Sequence, residues 1–256
     1  MEFVKTLQDS EVRILTLSRG KANALNLVMV EELIEAVRAS EEDGDVRAVV
    51  FASAHPGFFS AGFDIEEVFA YGRDDMRHFF GRFMELFQRI LRMPKPVVGA
   101  LAGHAYAGGA FLALACDVRV MAEGDFGFAL NEINFGAVLP PALRRALINT
   151  VGAREATRMI LTGDSVKPGR ALEIGLADEV VPIGQVLDAA LKHAHRLTQK
   201  PPQAFAFSKR ALQIDLGYPE AGETLDDFVT QWFSPECEER RRQLTASVKT
   251  KTQASG

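Results

Sequence analysis

Apolar positions along this chain recur in two periods, one that suits strands and one that suits helices, and the two take turns. Val12–Leu17 reads as a strand, followed by Arg19-Gly20-Lys21 as a turn. Leu27, Val30, Leu33, Ile34 and Val37 then recur at helical spacing behind Asn26, a good N-cap. Val46–Ala52 is a short apolar run of the kind shown by a strand buried on both faces, and His55-Pro56-Gly57 breaks it. A long helix is predicted around Met76–Arg92, with Phe79, Phe80, Phe83, Phe87, Ile90 and Leu91 on its apolar side. After Pro94-Lys95-Pro96 comes a second buried strand, Val97–Ala102, then a helix near Gly109–Ala115 and a strand at Val118–Ala122. Further helices are expected at Pro140–Thr150, with Gly152 as the C-cap, at Glu155–Leu161 and at Lys167–Ile174. One short strand is expected within Gly175–Pro182, and only helices after Lys200-Pro201-Pro202. Strands alternating with helices give class α/β, and the helical end suggests an appended lobe.

Composition narrows the partners. The 256 residues include 47% hydrophobic and 25% charged, an ordinary globular balance. The 29 basic against 34 acidic residues, a formal charge of −5, argue against a nucleic-acid binder. Cys116 and Cys237 form no metal or disulfide pattern, and His193 and His195 point to different faces of one helix, so no metal site is expected. There is no run of 18 apolar residues, and Met1–Lys5 opens no signal or transit peptide, so the expected setting is cytoplasmic, away from the membrane. Phosphate-loop, dinucleotide and nucleophile-elbow motifs are missing; Phe59-Ser60-Ala61-Gly62 has the wrong glycine spacing for the last.

Two segments carry small residues of the kind that let a ligand approach backbone. In Phe59–Asp64, Asp64 with Glu67 has capping-box spacing, so a helix should start there behind free amides. Gly103–Gly109 empties from a strand into a helix, which leaves N–H groups at the positive helix end. Either segment alone is no more than a turn.

Taken together and in order, these segments resemble the crotonase superfamily, the enoyl-CoA hydratase/isomerase family. The resemblance is carried by Asn23-Ala24-Leu25, Phe59–Asp64, Lys95-Pro96-Val97 through Gly103, Gly108-Gly109, Cys116-Asp117, Leu130-Asn131-Glu132 with Gly136, and Gly175–Asp178. It implies a spiral of ββα units over residues 1–200 and a C-terminal helical trimerisation lobe over 201–256. It also implies a CoA thioester whose carbonyl oxygen sits between the amides of Phe63 and Gly108, where preorganised donors stabilise a developing enolate. CoA would run along Ala22–Ala24 and Ala61–Ile65, so that Ala22, Ala24, Ala61, Gly62, Asp64 and Ile65 join Phe63, Gly108, Phe111 and Asn131 as binding residues. No cofactor beyond the CoA of the substrate is implied. Members form trimers or dimers of trimers, with C-terminal helices reaching across subunits.

Which reaction follows turns on the carboxylates. Hydratases of the family carry a glutamate three residues after the second oxyanion glycine and another in a later motif. Here the first position is Phe111 and the second is Glu132. One carboxylate cannot readily activate water for addition across a double bond, but it can shuttle a proton from the α-carbon of a 3-enoyl thioester to the γ-carbon. A desolvated glutamate would be tuned upward for that work, and Phe111 would exclude water. The expectation is an enoyl-CoA isomerase of fatty-acid metabolism, with Glu132 as base. The rivals are a hydratase, hydrolase, decarboxylase or lyase of the same family, or a non-catalytic CoA-binding paralogue. Without the motifs, Glu132 reads as a loop carboxylate, Phe111 as a core residue and Asp64 as a helix cap.

Overall fold

The computed structural model describes residues 1–218 and 225–254. β1 (Val4–Asp9) and β2 (Val12–Leu17) form an antiparallel hairpin, and α1 (Leu27–Glu42) starts with the Asn26 side chain accepting from Met29 N–H at 3.0 Å. Then come β3 (Ala48–Ser53), β4 (Gly57–Ser60), α2 (Ile65–Val68) and α3 (Arg73–Arg92). These are followed by β5 (Val97–Leu101), β6 (Gly103–Tyr106) and α4 (Gly108–Ala115). Next are β7 (Val118–Ala122), β8 (Phe128–Ala129), a 3-10 turn at Glu132–Phe135 and α5 (Pro141–Thr162). The chain closes with α6 (Pro168–Glu173), β9 (Glu179–Val181), α7 (Val186–Thr198), α8 (Pro202–Asp215), α9 (Leu225–Trp232) and α10 (Pro235–Ala254).

Two sheets result, one in the order β1-β2-β3-β5-β7-β9 and a smaller one in the order β4-β6-β8. From β3 to α5 the chain therefore steps three times through a strand in the large sheet, a strand in the small sheet and a helical segment. This is the ββα spiral that the motifs imply. The large sheet is covered on both faces, by α7 against Val12, Val50, Val98 and Val120 and by the main core on the other side. That double burial is why its strands read as unbroken apolar runs.

Four local differences from the sequence reading have plain causes. β1 was not expected, because an edge strand with five of its six residues outside the core carries no alternation to read. β4 and β6 occupy segments that read as glycine turns. Gly152, expected to end a helix, is a kink (φ 76°, ψ 162°) between two helical halves of α5. The last two helices fold back over this chain: Phe228, Val229, Trp232 and Cys237 lie in its main core rather than extending outward. Among the described residues no helix is long and apolar enough to cross a membrane.

Candidate active site

The site forms where successive strands of the small sheet hand over to helices. Leu25 bridges to the chain just after β4: its N–H donates to Gly62 O at 2.7 Å, and Asp64 N–H donates to Leu25 O at 2.9 Å. In such a parallel bridge the intervening residue faces the other way, so the Phe63 N–H points away from Leu25 and meets no acceptor among the described residues. β6 ends at Ala107, held at φ 45°, ψ −121° with its N–H on Ala129 O at 2.9 Å. Gly108 follows as the first residue of α4, and its N–H has no partner within the helix.

Glycines bring the two free amides together. A Cβ on Gly62 (φ +93°) would stand 2.9 Å from Ala107 Cβ and 3.2 Å from Gly108 N, and one on Gly108 would stand 2.8 Å from the Phe63 ring. The α4 dipole adds positive potential at Gly108.

The next strand delivers the carboxylate. β8 pairs with β6 through Tyr106 and Ala129, so the chain passes Ala107 and then turns at Glu132–Phe135. Gly136 closes this turn at φ 79°, and its backbone lies so close to Cys237 that a Cβ would stand 3.0 Å from that residue's Cα. Gln231 donates to Gly136 O at 2.9 Å, which docks the C-terminal helices on the same turn. Glu132 is 5% exposed and its Oε2 has no partner among the described residues. Burial pushes its carboxyl up to about 8, opposed only by its own backbone N–H.

A cavity of about 70 Å³ opens on this carboxylate. It gathers Ala61, Phe63, Ile65, Phe111, Asn131 and Glu132, six of the residues expected at the site. The Asn131 side-chain oxygen is buried and has no partner among the described residues. Phe111, 2% exposed, packs near Phe83 with ring centroids 5.9 Å apart.

The remaining expected residues sit behind this surface. Gly62 and Gly108 shape it from behind, while Ala22 accepts from Ala61 N–H at 2.9 Å and Ala24 accepts from Arg19 at 2.8 Å. Asp64 caps α2 through the Glu66 and Glu67 amides and pairs with Arg19 at 2.6 Å. Burial alone would raise its carboxyl, but those amides and the guanidinium outweigh it and hold it below the usual range. The reciprocal half of the capping box is not made, because Glu67 turns to Asn26 and Tyr71. Asp64 is a cap held in its charged form, and among the described residues the cavity holds one carboxylate.

Sequence reasoning missed half the wall. Phe69, Ala107, Phe135, Phe228, Trp232 and Leu244 also line the cavity. The helical spacing of Phe228 and Trp232, the latter the sole Trp of the sequence, was the available signal. In the run Arg240-Arg241-Arg242, Arg242 pairs with Glu239 at 2.8 Å, while Arg241 is buried against aromatic rings. A larger cavity of about 500 Å³ between the end of α4 and α8 contains the Asp117–Lys209 pair and none of these residues. No cluster of three or more metal-ligating side chains occurs among the described residues.

Comparison with known proteins bears on the family and the fold. The chain is 36% identical over 187 residues to mouse mitochondrial enoyl-CoA delta isomerase 1, a match covering 72% of this chain and 64% of that protein. It is 34% identical over 212 residues to a probable enoyl-CoA hydratase of Bacillus subtilis, covering 80% of each. In three dimensions it superposes on human mitochondrial delta3-delta2-enoyl-CoA isomerase with a TM-score of 0.91 at 27% identity, over 97% of this chain and 99% of that one. A sequence model described as enoyl-CoA hydratase/isomerase matches residues 8–244, nearly the whole ββα spiral and the helices that close its cavity. By its motifs, its fold and this match, the chain belongs to the enoyl-CoA hydratase/isomerase family of the crotonase superfamily.

Proposed function

We propose that this protein is an enoyl-CoA isomerase that moves the double bond of a 3-enoyl-CoA to the 2-trans position. The thioester oxygen accepts from the Phe63 and Gly108 amides, which have no acceptor among the described residues. Glu132 Oε2 removes a proton from the α-carbon, the electrons delocalise into a dienolate held by the two amides, and the same carboxyl returns the proton to the γ-carbon. The thioester stays intact, and nothing beyond the CoA of the substrate is required. Ala22, Ala24, Ala61, Gly62 and Ile65 flank the CoA chain in this reading.

One observation carries the choice of reaction. Among the described residues the cavity holds one carboxylate, Glu132, because Phe111 occupies the other family position and Asp64 is committed to its cap and to Arg19. Adding water needs one group to activate it and another to position or protonate, whereas shifting a double bond needs one proton carrier in a dry site. The isomerase-named relatives support the reading, and the hydratase-named ones make the experiment necessary.

That experiment offers 3-enoyl-CoA, 2-enoyl-CoA and saturated acyl-CoA, following products by mass and ultraviolet absorbance. Isomerisation without hydration is expected. Robust hydration of 2-enoyl-CoA, or thioester cleavage, would replace this assignment with one of its rivals. We extend the proposal to a homotrimer or dimer of trimers: α8 has no buried position and exposes Phe207 (77%) and Ile214 (71%), a surface suited to self-association.

A further inference from the structure

The cavity beside Glu132 is small, and the C-terminal helices close part of it. A protein cavity of roughly 150 Å³ takes one benzene, so about 70 Å³ takes about three carbons. With the thioester carbonyl carbon at the Phe63 and Gly108 amides, three further carbons fill the space past Glu132.

The closing wall is fixed rather than loosely draped. Phe228 stacks on Phe80 of α3 with centroids 3.5 Å apart, and the Trp232 ring meets Phe69 at 5.2 Å and Phe228 at 5.6 Å. Arg241, 7% exposed, ties these pieces together. Its guanidinium lies 4.6 Å from the Trp232 ring centre and donates to the carbonyls of Phe69 at 3.2 Å and Trp232 at 3.1 Å. Two backbone segments of the wall thus share one buried cation, so displacing Trp232 would take a carbonyl acceptor away from a largely desolvated charge.

We infer that the acyl group is short, about four carbons counted from the thioester carbonyl, and that Trp232 limits its length while Arg241 positions Trp232. The inference rests on the isomerase reading for the placement of the acyl chain and deepens it by naming the substrate class, short-chain 3-enoyl-CoA. An unobstructed apolar channel gains about fourfold in affinity for each methylene it buries. Here the gain stops once the cavity is full.

The test uses saturated, unreactive ligands, so the plateau is read whether or not the protein isomerises anything. Dissociation constants of free CoA and of butyryl-, hexanoyl-, octanoyl- and dodecanoyl-CoA are measured by calorimetry on the whole wild-type chain. Binding is expected to strengthen from free CoA to butyryl-CoA and then level off. A continued gain of about fourfold per methylene through octanoyl-CoA would overturn the inference from the wild type alone. Trp232→Ala, with the milder Trp232→Leu beside it, is expected to move the plateau to longer chains, and Arg241→Gln to move it part of the way. If either Trp232 variant binds free CoA as wild type does and keeps the original plateau, Trp232 is not the limit. Turnover of 3-butenoyl-CoA is scored separately: its absence counts against the isomerase reading, not against the plateau.

Discussion

Replacing Glu132 by Gln should abolish turnover and yet make the protein more stable, increasingly so as the pH rises. The carboxyl is held at about 8 against an ordinary glutamate value of 4.5. Between those values the folded chain retains a proton that the unfolded chain releases. The stability associated with that proton is fully present below pH 4.5 and is lost as pH rises through 8. At about 1.36 kcal/mol per pH unit the window sets an upper limit of about 5 kcal/mol, reduced in practice by water reaching the ionised group. Glutamine keeps the shape and cannot ionise, so it escapes this loss. Thermal melts at pH 5 and pH 9 should show the two proteins close together in acid, with Glu132→Gln ahead by up to about 10 °C in base. The same value fixes the activity profile. At pH 7 about a tenth of the wild-type enzyme carries the ionised base, so kcat/KM for a 3-enoyl-CoA should rise about tenfold per unit in acid and level off near pH 8. A melting difference that does not change with pH, or an activity midpoint near 4.5, would refute the claim that burial tunes this carboxyl.

Wild-type enzyme should leave 2-enoyl-CoA unhydrated, and Phe111→Glu should gain measurable water addition at the β-carbon at a cost in stability, read by product mass and melting together. Gly108→Ala places a Cβ 2.8 Å from the Phe63 ring and so shifts both free amides; turnover should fall by ~10²–10³ while CoA binding persists. Asp64→Asn keeps a capping side chain but loses the ion pair with Arg19, which should cost about 1 kcal/mol or less by denaturant titration and leave the shape of the pH–rate profile unchanged.

Much of this protein was written in its sequence, and the division has a physical origin. Local chemistry was legible: Asn26 and Asp64 cap the helices expected of them, and the strands of the large sheet read as apolar runs because both their faces are buried. The ordered motifs supplied the family, and with it the expectation that the amides of Phe63 and Gly108 and the carboxylate of Glu132 form the site. What the sequence could not supply depends on atoms distant along the chain. That β4 and β6 are strands follows from their pairing with each other and with β8, not from any alternation of their own. That Glu132 is buried, unpartnered and raised depends on helices placed over it from a hundred residues away. Nothing near position 132 encodes that burial, and only the folded chain brings Trp232 and Phe228 to the same cavity. Hydrophobic periodicity reports which face of an element is covered, never by what. Periodicity therefore fixed the elements, and tertiary packing decided the protonation of Glu132 and the space left beside it.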